Sequence, residues 1–390
     1  LHRVDRRQRQ MCIRDRDDAI YADESIYEYP MQQGGGNDGR PYSFGRPSSG
    51  GSKAAYPCKS YGQGRINPAY FYGVFDPNDM RRDVSITMTG SNGKGVEKLI
   101  PFVPNSKAEG GGLTLNKWDE NRQANPWVAA QRKSGINGPY MRMSEVYLGY
   151  AEVCAALGDV VTGKQYLKTV RERSFPQGLA NTDAFIASFG NDLVRAIIEE
   201  RGFEYAGEGD RRWTLIRSGY LPEDIKRIKD MTKAMMDGLA TKGYYEFENG
   251  NIISAYIWTK LVDAKTIYGH RLTAQCPTDK VNDPVLYPGW RGQKDNWEEM
   301  GLNYGSSTPA TNLAIKGLFE IVSEEEAASL ESQGYAKVNW GIDLVDYRDE
   351  YDKYLFWDYD YVSAPIYLWP FTPNVMAAGG FTNGYGFKQE

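Results

Sequence analysis

Histidine is nearly absent: His2 and His270 are the whole complement of a 390-residue chain. A Ser–His–Asp relay would have to use His270, and no Gly-x-Ser-x-Gly elbow accompanies it. The four cysteines, Cys12, Cys58, Cys154 and Cys276, lie far apart and form no Cys-x-x-Cys unit. That excludes the common zinc patterns and leaves both disulfide framework and redox compartment open. Cys154 lies on an apolar helical face and reads as a small core residue. No run of 18 apolar residues occurs, so no transmembrane helix is expected. Positive charge is not in excess. The net charge of −5 argues against a general nucleic-acid binder. Gly90-Ser-Asn-Gly-Lys94-Gly lacks the P-loop spacing and a following helix, and reads as a β-turn. Neither a catalytic nucleophile, nor a metal cluster, nor a cofactor motif is expected.

Hydrophobic residues at 41% and charged residues at 25% are ordinary for a globular protein. The length allows a large core and up to two or three domains. The outliers are 28 Tyr and 9 Trp, while 42 Gly and 19 Pro imply many loops. The first 16 residues, LHRVDRRQRQMCIRDR, hold six Arg and two Asp. A basic arm that binds anions is one reading. The stronger one is that MCIRDR resembles translated sequencing-adapter sequence, so residues 1–16 are set aside as non-native. The remainder then has 46 − 6 = 40 basic and 51 − 2 = 49 acidic residues, a net charge of −9.

Residues 17–140 are loop-rich, with alternating strands expected over 23–31 and 83–89. Residues 141–219 are helical in pattern. Val146, Tyr147, Tyr150, Ala151, Cys154 and Leu157 recur at helical spacing, and Gly158 ends the run. A second helix spans about 163–174. A third starts near Thr182 as N-cap and runs through Leu193, Ile197 and Ile198 to Tyr205. Two such helices joined at Gly158–Asp159, then repeated, form a tetratricopeptide-like layout. Beyond 220 the chain is mixed and loop-rich. A helix is expected over 223–236, partly extended aromatic sequence over 244–258, and a capped helix at 323–333, where Ser323 and Glu326 form a capping box.

The most charged stretch runs from Glu200 to Gly219. Its carboxylates are led by Glu199, Glu200, Glu204 and Glu208, of which the last three are four apart and would share one helix face. Paired carboxylates suit a glycosidase. However, Arg201, Arg211, Arg212 and Arg217 stand close by, so a structural ion-pair network is the stronger reading. Aromatic residues in polar, loop-rich surroundings are the other candidates: Tyr61, Tyr70 and Tyr72, with Trp118 among Asn116–Asn121 and Trp127 after Asn125-Pro126. An exposed ring can carry the apolar face of a sugar while neighbouring amides bind its hydroxyls. Ordinary packing competes with this at each position.

Three segments carry a resemblance to the RagB/SusD family of outer-membrane nutrient-binding lipoproteins. Met143-Ser-Glu145-Val-Tyr-Leu148-Gly-Tyr150-Ala151-Glu152, followed by Val170-Arg171-Glu-Arg173, looks like the family's third repeat. Glu200-Arg201 through Glu204, Glu208, Gly209, Arg211 and Arg217 to Gly219 is similar to its most recognisable helix-to-loop segment. Tyr367-Leu-Trp-Pro370-Phe with Asn374 and Asn383-Gly-Tyr385 looks like its C-terminal segment. Gly207, Thr214 and Phe371 depart from the usual residues. The resemblance runs from about Asp23 to the C-terminus, and the signal peptide, lipid-carrying Cys and first repeats are expected to be missing.

The resemblance implies a mainly α fold of tetratricopeptide-like repeats, helical at about 141–219, with a loop-rich region over 220–390 and short strands. It implies an outward-facing outer-membrane protein, lipid-anchored in its full length. Such a protein captures oligosaccharides, or in some members peptides, and passes them to a SusC-like TonB-dependent transporter. It implies no catalysis and no cofactor. By position it favours Tyr61, Tyr70, Tyr72, Trp118 and Trp127 as ligand contacts. A glycoside hydrolase using paired carboxylates and a protein-binding helical scaffold are the alternatives.

Overall fold

A computed structural model describes residues 24–32, 65–91, 97–100, 102, 112–118, 136–175, 178–263, 311–349, 360, 362–363, 365–368, 371–380 and 382. The first strand, β1 (Ser25–Tyr29), falls where alternation places it, with Glu28 turned inward and Tyr27 and Tyr29 outward. Next comes α1 (Pro68–Gly73). It starts where Asn67 Oδ1 accepts from Ala69 N at 2.8 Å and Pro68 supplies a helical φ.

The alternation over 83–89 does not give one strand. Its first part lies in α2 (Met80–Ser85), and only β2 (Ile86–Thr87) and β3 (Thr89–Ser91) are extended. The helix is nucleated by Asp79, whose carboxylate accepts from Arg81 N at 3.0 Å. β3, which includes Gly90 and Ser91, pairs antiparallel with β4 (Glu97–Leu99); the rest of the turn expected at Gly90–Gly95 lies outside the described residues. β2 pairs with β5 (Thr114–Leu115), and β1 with β6 (Gly138–Arg142), in a register broken on both sides of Tyr27.

β6 runs straight into the helical region. Here α3 (Met143–Ala156) and α4 (Val160–Arg171) form a tight pair. Gly158 makes the turn at φ +87°, a conformation costly for other residues, and Asp159 caps α4 by accepting from Thr162 N at 3.1 Å. The helices approach closely at Gly163, where an added Cβ would lie 3.0 Å from the Ala151 carbonyl.

The buried stripe of α3 is Ser144, Leu148, Ala151 and Cys154. Val146, Tyr150 and Leu157, expected on the buried face, are exposed, as are Val160 and Val161. The apolar pattern of α3 is wider than one contact face, and its inner stripe alone meets α4 and the later helices.

The third expected helix is two. A short 3-10 turn, Glu172–Ser174, closes α4; then come α5 (Thr182–Ala187) and α6 (Leu193–Glu204). Asn181, rather than Thr182, caps α5, accepting from Ala184 N at 3.0 Å. Between them Gly190 and Asn191 take positive φ, and Asp192 restarts the helix by accepting from Arg195 N at 3.0 Å. α7 (Arg211–Ser218) stops at Gly219, φ +79°. α8 (Leu221–Lys242) is longer than the expected 223–236, with Pro222 in its first turn and Gly243 at its end.

Downstream, β7 (Tyr244–Glu246) pairs with β8 (Ile252–Ser254). β9 (Tyr256–Asp263) is the centre of a three-stranded antiparallel sheet between β10 (Thr311–Lys316) and β11 (Ala336–Asn339). α9 (Glu324–Ser332) precedes β11 and begins as its capping residues dictate, with Ser323 Oγ accepting from Glu326 N at 3.2 Å. α10 (Gly341–Asp346) and α11 (Pro373–Gly379) complete the described elements.

Besides a smaller one, Ile198 with Leu215 and Leu221, two large apolar cores lie among the described residues. One gathers Leu148, Ala151, Leu167, Val170, Ala196 and Ile197 between α3, α4 and α6. The other joins the early segment to the late one: Phe71, Tyr72 and Phe75 meet Met235, Met236 and Leu239 of α8, Ile257 and Ile315 of the sheet, and Trp340.

Candidate functional site

α6 carries Glu200 and Glu204 one turn apart, and both are buried. Buried carboxylates persist only where their charge is met. Glu200 accepts from Arg81 Nη1 at 2.7 Å and from Arg171 Nη1 at 2.9 Å. Glu204 accepts from Arg81 Nη1 at 3.0 Å on one oxygen and from Arg142 and Arg173 on the other. Glu208, past the end of α6, accepts from Arg142 Nη2 at 2.9 Å and pairs with Lys117 at 2.5 Å. Glu24 takes Arg142 and Arg173, each at 3.2 Å, and Asp79 takes Arg81 Nη2 at 2.7 Å.

The acids Glu24, Asp79, Glu200, Glu204 and Glu208 are thus matched one for one by Arg81, Lys117, Arg142, Arg171 and Arg173. Burial alone would push the Glu204 carboxyl up. Arg173, Arg142, Arg81 and Lys117 outweigh it and hold it well below the ordinary carboxylate range. Burial pushes the Lys117 ammonium down against the pull of Glu208.

The arginines nearest in sequence join the ion-pair network as expected, but of the four carboxylates only Glu199 is met by one of them; Glu200, Glu204 and Glu208 take partners from other segments. Arg201 binds Asp210 at 2.7 Å, and Arg211 binds Glu199 at 2.8 Å and Asp224 at 2.9 Å. Arg217 clamps Glu152 of α3 at 2.5 and 2.8 Å, and Arg212 donates to the Tyr367 carbonyl at 2.9 Å. Gly209, at φ +93°, turns the chain between α6 and α7. The charges therefore bolt β1, α2, the 112–118 segment and the C-terminal segment onto the helices.

On the outer side of this bolt lies an aromatic platform. Tyr27, Tyr29 and Tyr140 are 58%, 56% and 70% exposed. The Tyr27 and Tyr140 rings meet edge to face at 5.8 Å, across the β1–β6 pair. Tyr29 stands opposite Gly138, which has no side chain to crowd it. The strands are fixed from within. Glu28 accepts from Asn137 Nδ2 at 3.0 Å, Met31 N donates to Asn137 Oδ1 at 3.0 Å, and the Glu24 carbonyl accepts from Met143 N at 2.8 Å. Large rings presented to solvent on a backbone anchored by buried ion pairs suit a ligand with flat apolar faces.

The residues favoured by sequence fall elsewhere. Tyr72 is fully buried: its hydroxyl donates to the Leu318 carbonyl at 3.1 Å and accepts from Trp340 Nε1 at 2.9 Å. Trp118 is fully buried, with its indole N–H donating to the Gly207 carbonyl at 3.1 Å. Neither offers a face to a sugar, because both pin the early segment to later ones. Tyr70 is half-buried with its ring edge-on to Phe75 at 5.5 Å, and burial pushes its phenol up to about 12. Tyr61 and Trp127 lie outside the described residues, as do His2 and His270. Sequence reasoning recognised the β1 strand but not its tyrosine face. The Tyr-Glu-Tyr alternation puts both rings on one side of the strand but does not say which side faces out. Among the described residues no group of His, Cys, Asp and Glu is placed to hold a metal ion, and no helix is long and apolar enough to cross a membrane.

The model of the SusD family matches residues 19–370. A SusD-like protein of Formosa agariphila is 28% identical over 160 residues, covering 41% of this chain and 26% of the relative. Among solved structures, surface glycan-binding protein A of Bacteroides thetaiotaomicron aligns at a TM-score of 0.38 and 18% identity, over 55% of this chain and 46% of that one. That protein is also known in complex with laminarihexaose. A SusD homologue of the same organism aligns at 0.37 and 20% identity, over 59% of this chain and 47% of its own. The chain thus spans less than half the length of each of these relatives.

Proposed function

The chain belongs to the SusD family, and we propose that it is a cell-surface binding protein that captures oligosaccharides on the Tyr27–Tyr29–Tyr140 platform. The observation that carries this reading is the set of exposed rings on strands held by a buried, charge-balanced cluster. Tyrosine rings give contact area at low entropic cost, and their hydroxyls remain free for hydrogen bonds to sugar.

Binding without turnover fits the carboxylates. A general acid needs a raised pKa, yet Glu204 is held low and Glu200 and Glu208 are saturated by guanidinium and ammonium donors. Family membership further supports an outward-facing, lipid-anchored location at the outer membrane and delivery to a SusC-like TonB-dependent transporter.

Affinity electrophoresis against a panel of neutral polysaccharides, with product analysis by chromatography, tests the reading. Retardation by at least one glycan without released product is expected. Product that disappears in a carboxylate variant would assign a hydrolase instead, and binding confined to peptides would assign a peptide-binding member.

A further inference from the structure

The β1–β6 ribbon is bulged twice. Its register runs from Ser25↔Arg142 to Tyr27↔Met141 and then to Glu28↔Pro139. Ile26 is therefore extra on one strand and Tyr140 on the other. A bulge interrupts the alternation of a strand and re-aims a side chain. Ile26, Tyr27, Tyr140 and Met141 are accordingly all exposed, although each strand contributes two successive residues.

Past the bulges β1 alternates again, with Glu28 buried and Tyr29 exposed. The platform thus has two parts. Tyr27 forms the first with the edge-on ring of Tyr140 and with Met141, its partner across the strands. Tyr29 forms the second, two residues further along β1 and roughly 7 Å away. Opposite it stands Gly138, so that position is open on the β6 side.

Charge is kept off this surface. Segments 24–32 and 136–144 hold three charged side chains, Glu24, Glu28 and Arg142, and all three are buried. Glu28 is bound by Asn137, and Glu24 by Arg142 and Arg173. What these segments turn outward is tyrosine rings with their hydroxyls, and aliphatic chains. Such a surface can displace water from the apolar face of a sugar. Neither segment offers an exposed cation to replace the water around a carboxylate or sulfate, so a charged ligand would lose hydration without return.

We propose that the platform is a two-subsite groove for an uncharged oligosaccharide, with one sugar unit on Tyr27 and Tyr140 and another on Tyr29. A ligand that engages both subsites has at least two linked units and lies along β1. Tyr29 is then the residue that makes binding depend on chain length. The inference rests on the glycan-capture reading and adds to it the ligand's charge class and minimum length.

The test is calorimetry of the full chain with a neutral oligosaccharide series, from the monosaccharide upward, cut from a polysaccharide that retards the wild type. Affinity is expected to step up roughly three- to tenfold once the ligand reaches the second subsite. Tyr29→Ala should remove that step and leave the shortest bound ligand unaffected, with Tm unchanged, while Tyr29→Phe keeps the step because the ring is retained. A uronate oligosaccharide of equal length should bind roughly tenfold or more weakly than the neutral one. A monosaccharide that binds as tightly as the longer ligands would overturn the subsites and leave glycan capture in place. So would a step that survives Tyr29→Ala, or a loss in that variant that is equal at every length. Uronate binding as tight as neutral binding would overturn the charge class. Failure of the wild type to bind any glycan would remove both readings.

Discussion

At the scale of single residues, burial decides what each polar or aromatic group does. Trp118 looked accessible because Asn116 and Lys117 flank it, yet both flanking residues are buried too. Polar neighbours signal exposure only when they are not themselves paired, and Lys117 is paired with Glu208. Tyr27 and Tyr29 could be assigned to a strand from alternation alone. That they face outward follows from Glu28 being drawn in by Asn137, 109 positions away in sequence, which no local pattern encodes.

Trp118→Phe should cost about 1 kcal/mol through the lost bond to Gly207 and leave glycan affinity unchanged. Urea titration and calorimetry check the two halves of this statement. Glu204→Gln should cost about 3–5 kcal/mol at pH 7, because Arg142 and Arg173 lose the charge that neutralises them. The pH dependence has a definite sign. Glu204 is depressed in the folded state, so its contribution is complete above the usual carboxylate range, about pH 4.3. It is lost as pH falls through the folded value. The gap between wild type and Glu204→Gln should therefore narrow on acidification, in urea midpoints taken from pH 7 to pH 3.

At the scale of elements, capping chemistry was the most legible signal. Ser323 starts α9 as its spacing to Glu326 requires, and Gly219 stops α7. Ser323→Ala should cost about 1 kcal/mol, measured as a lowered Tm. Short elements were legible only in part. α2 is a single capped turn inside a sequence of period two, so its pattern favours a strand while Asp79 favours a helix. The break between α5 and α6 was marked by Gly190-Asn191-Asp192, but the apolar spacing continues across it.

The α3–α4 contact depends on a missing side chain. Gly163→Val should force the helices apart against the Ala151 backbone, costing about 1–3 kcal/mol. A lowered Tm detects it.

At the scale of the whole molecule, the described residues form a helical array to which early segments are tied by ion pairs and a late one by hydrogen bonds from Arg212. The family and its mainly helical character were readable from three segments of sequence, because each is a contiguous local pattern. The proposed binding face was not, because it is assembled from β1 and β6, brought together across more than a hundred residues by the Glu24–Arg142–Glu204 contacts. Labour is divided accordingly: buried charges hold the strands, and the exposed rings form the surface proposed to meet the ligand.

That division is tested most directly by calorimetry of Tyr27→Ala, Tyr140→Ala and the double variant with a glycan that binds the wild type. Each single change should weaken binding by about 1–2 kcal/mol, roughly five- to thirty-fold, with no change in Tm. The double change should abolish measurable binding on the platform. Unaltered affinity in the double variant would contradict the assignment of the platform as the capture surface.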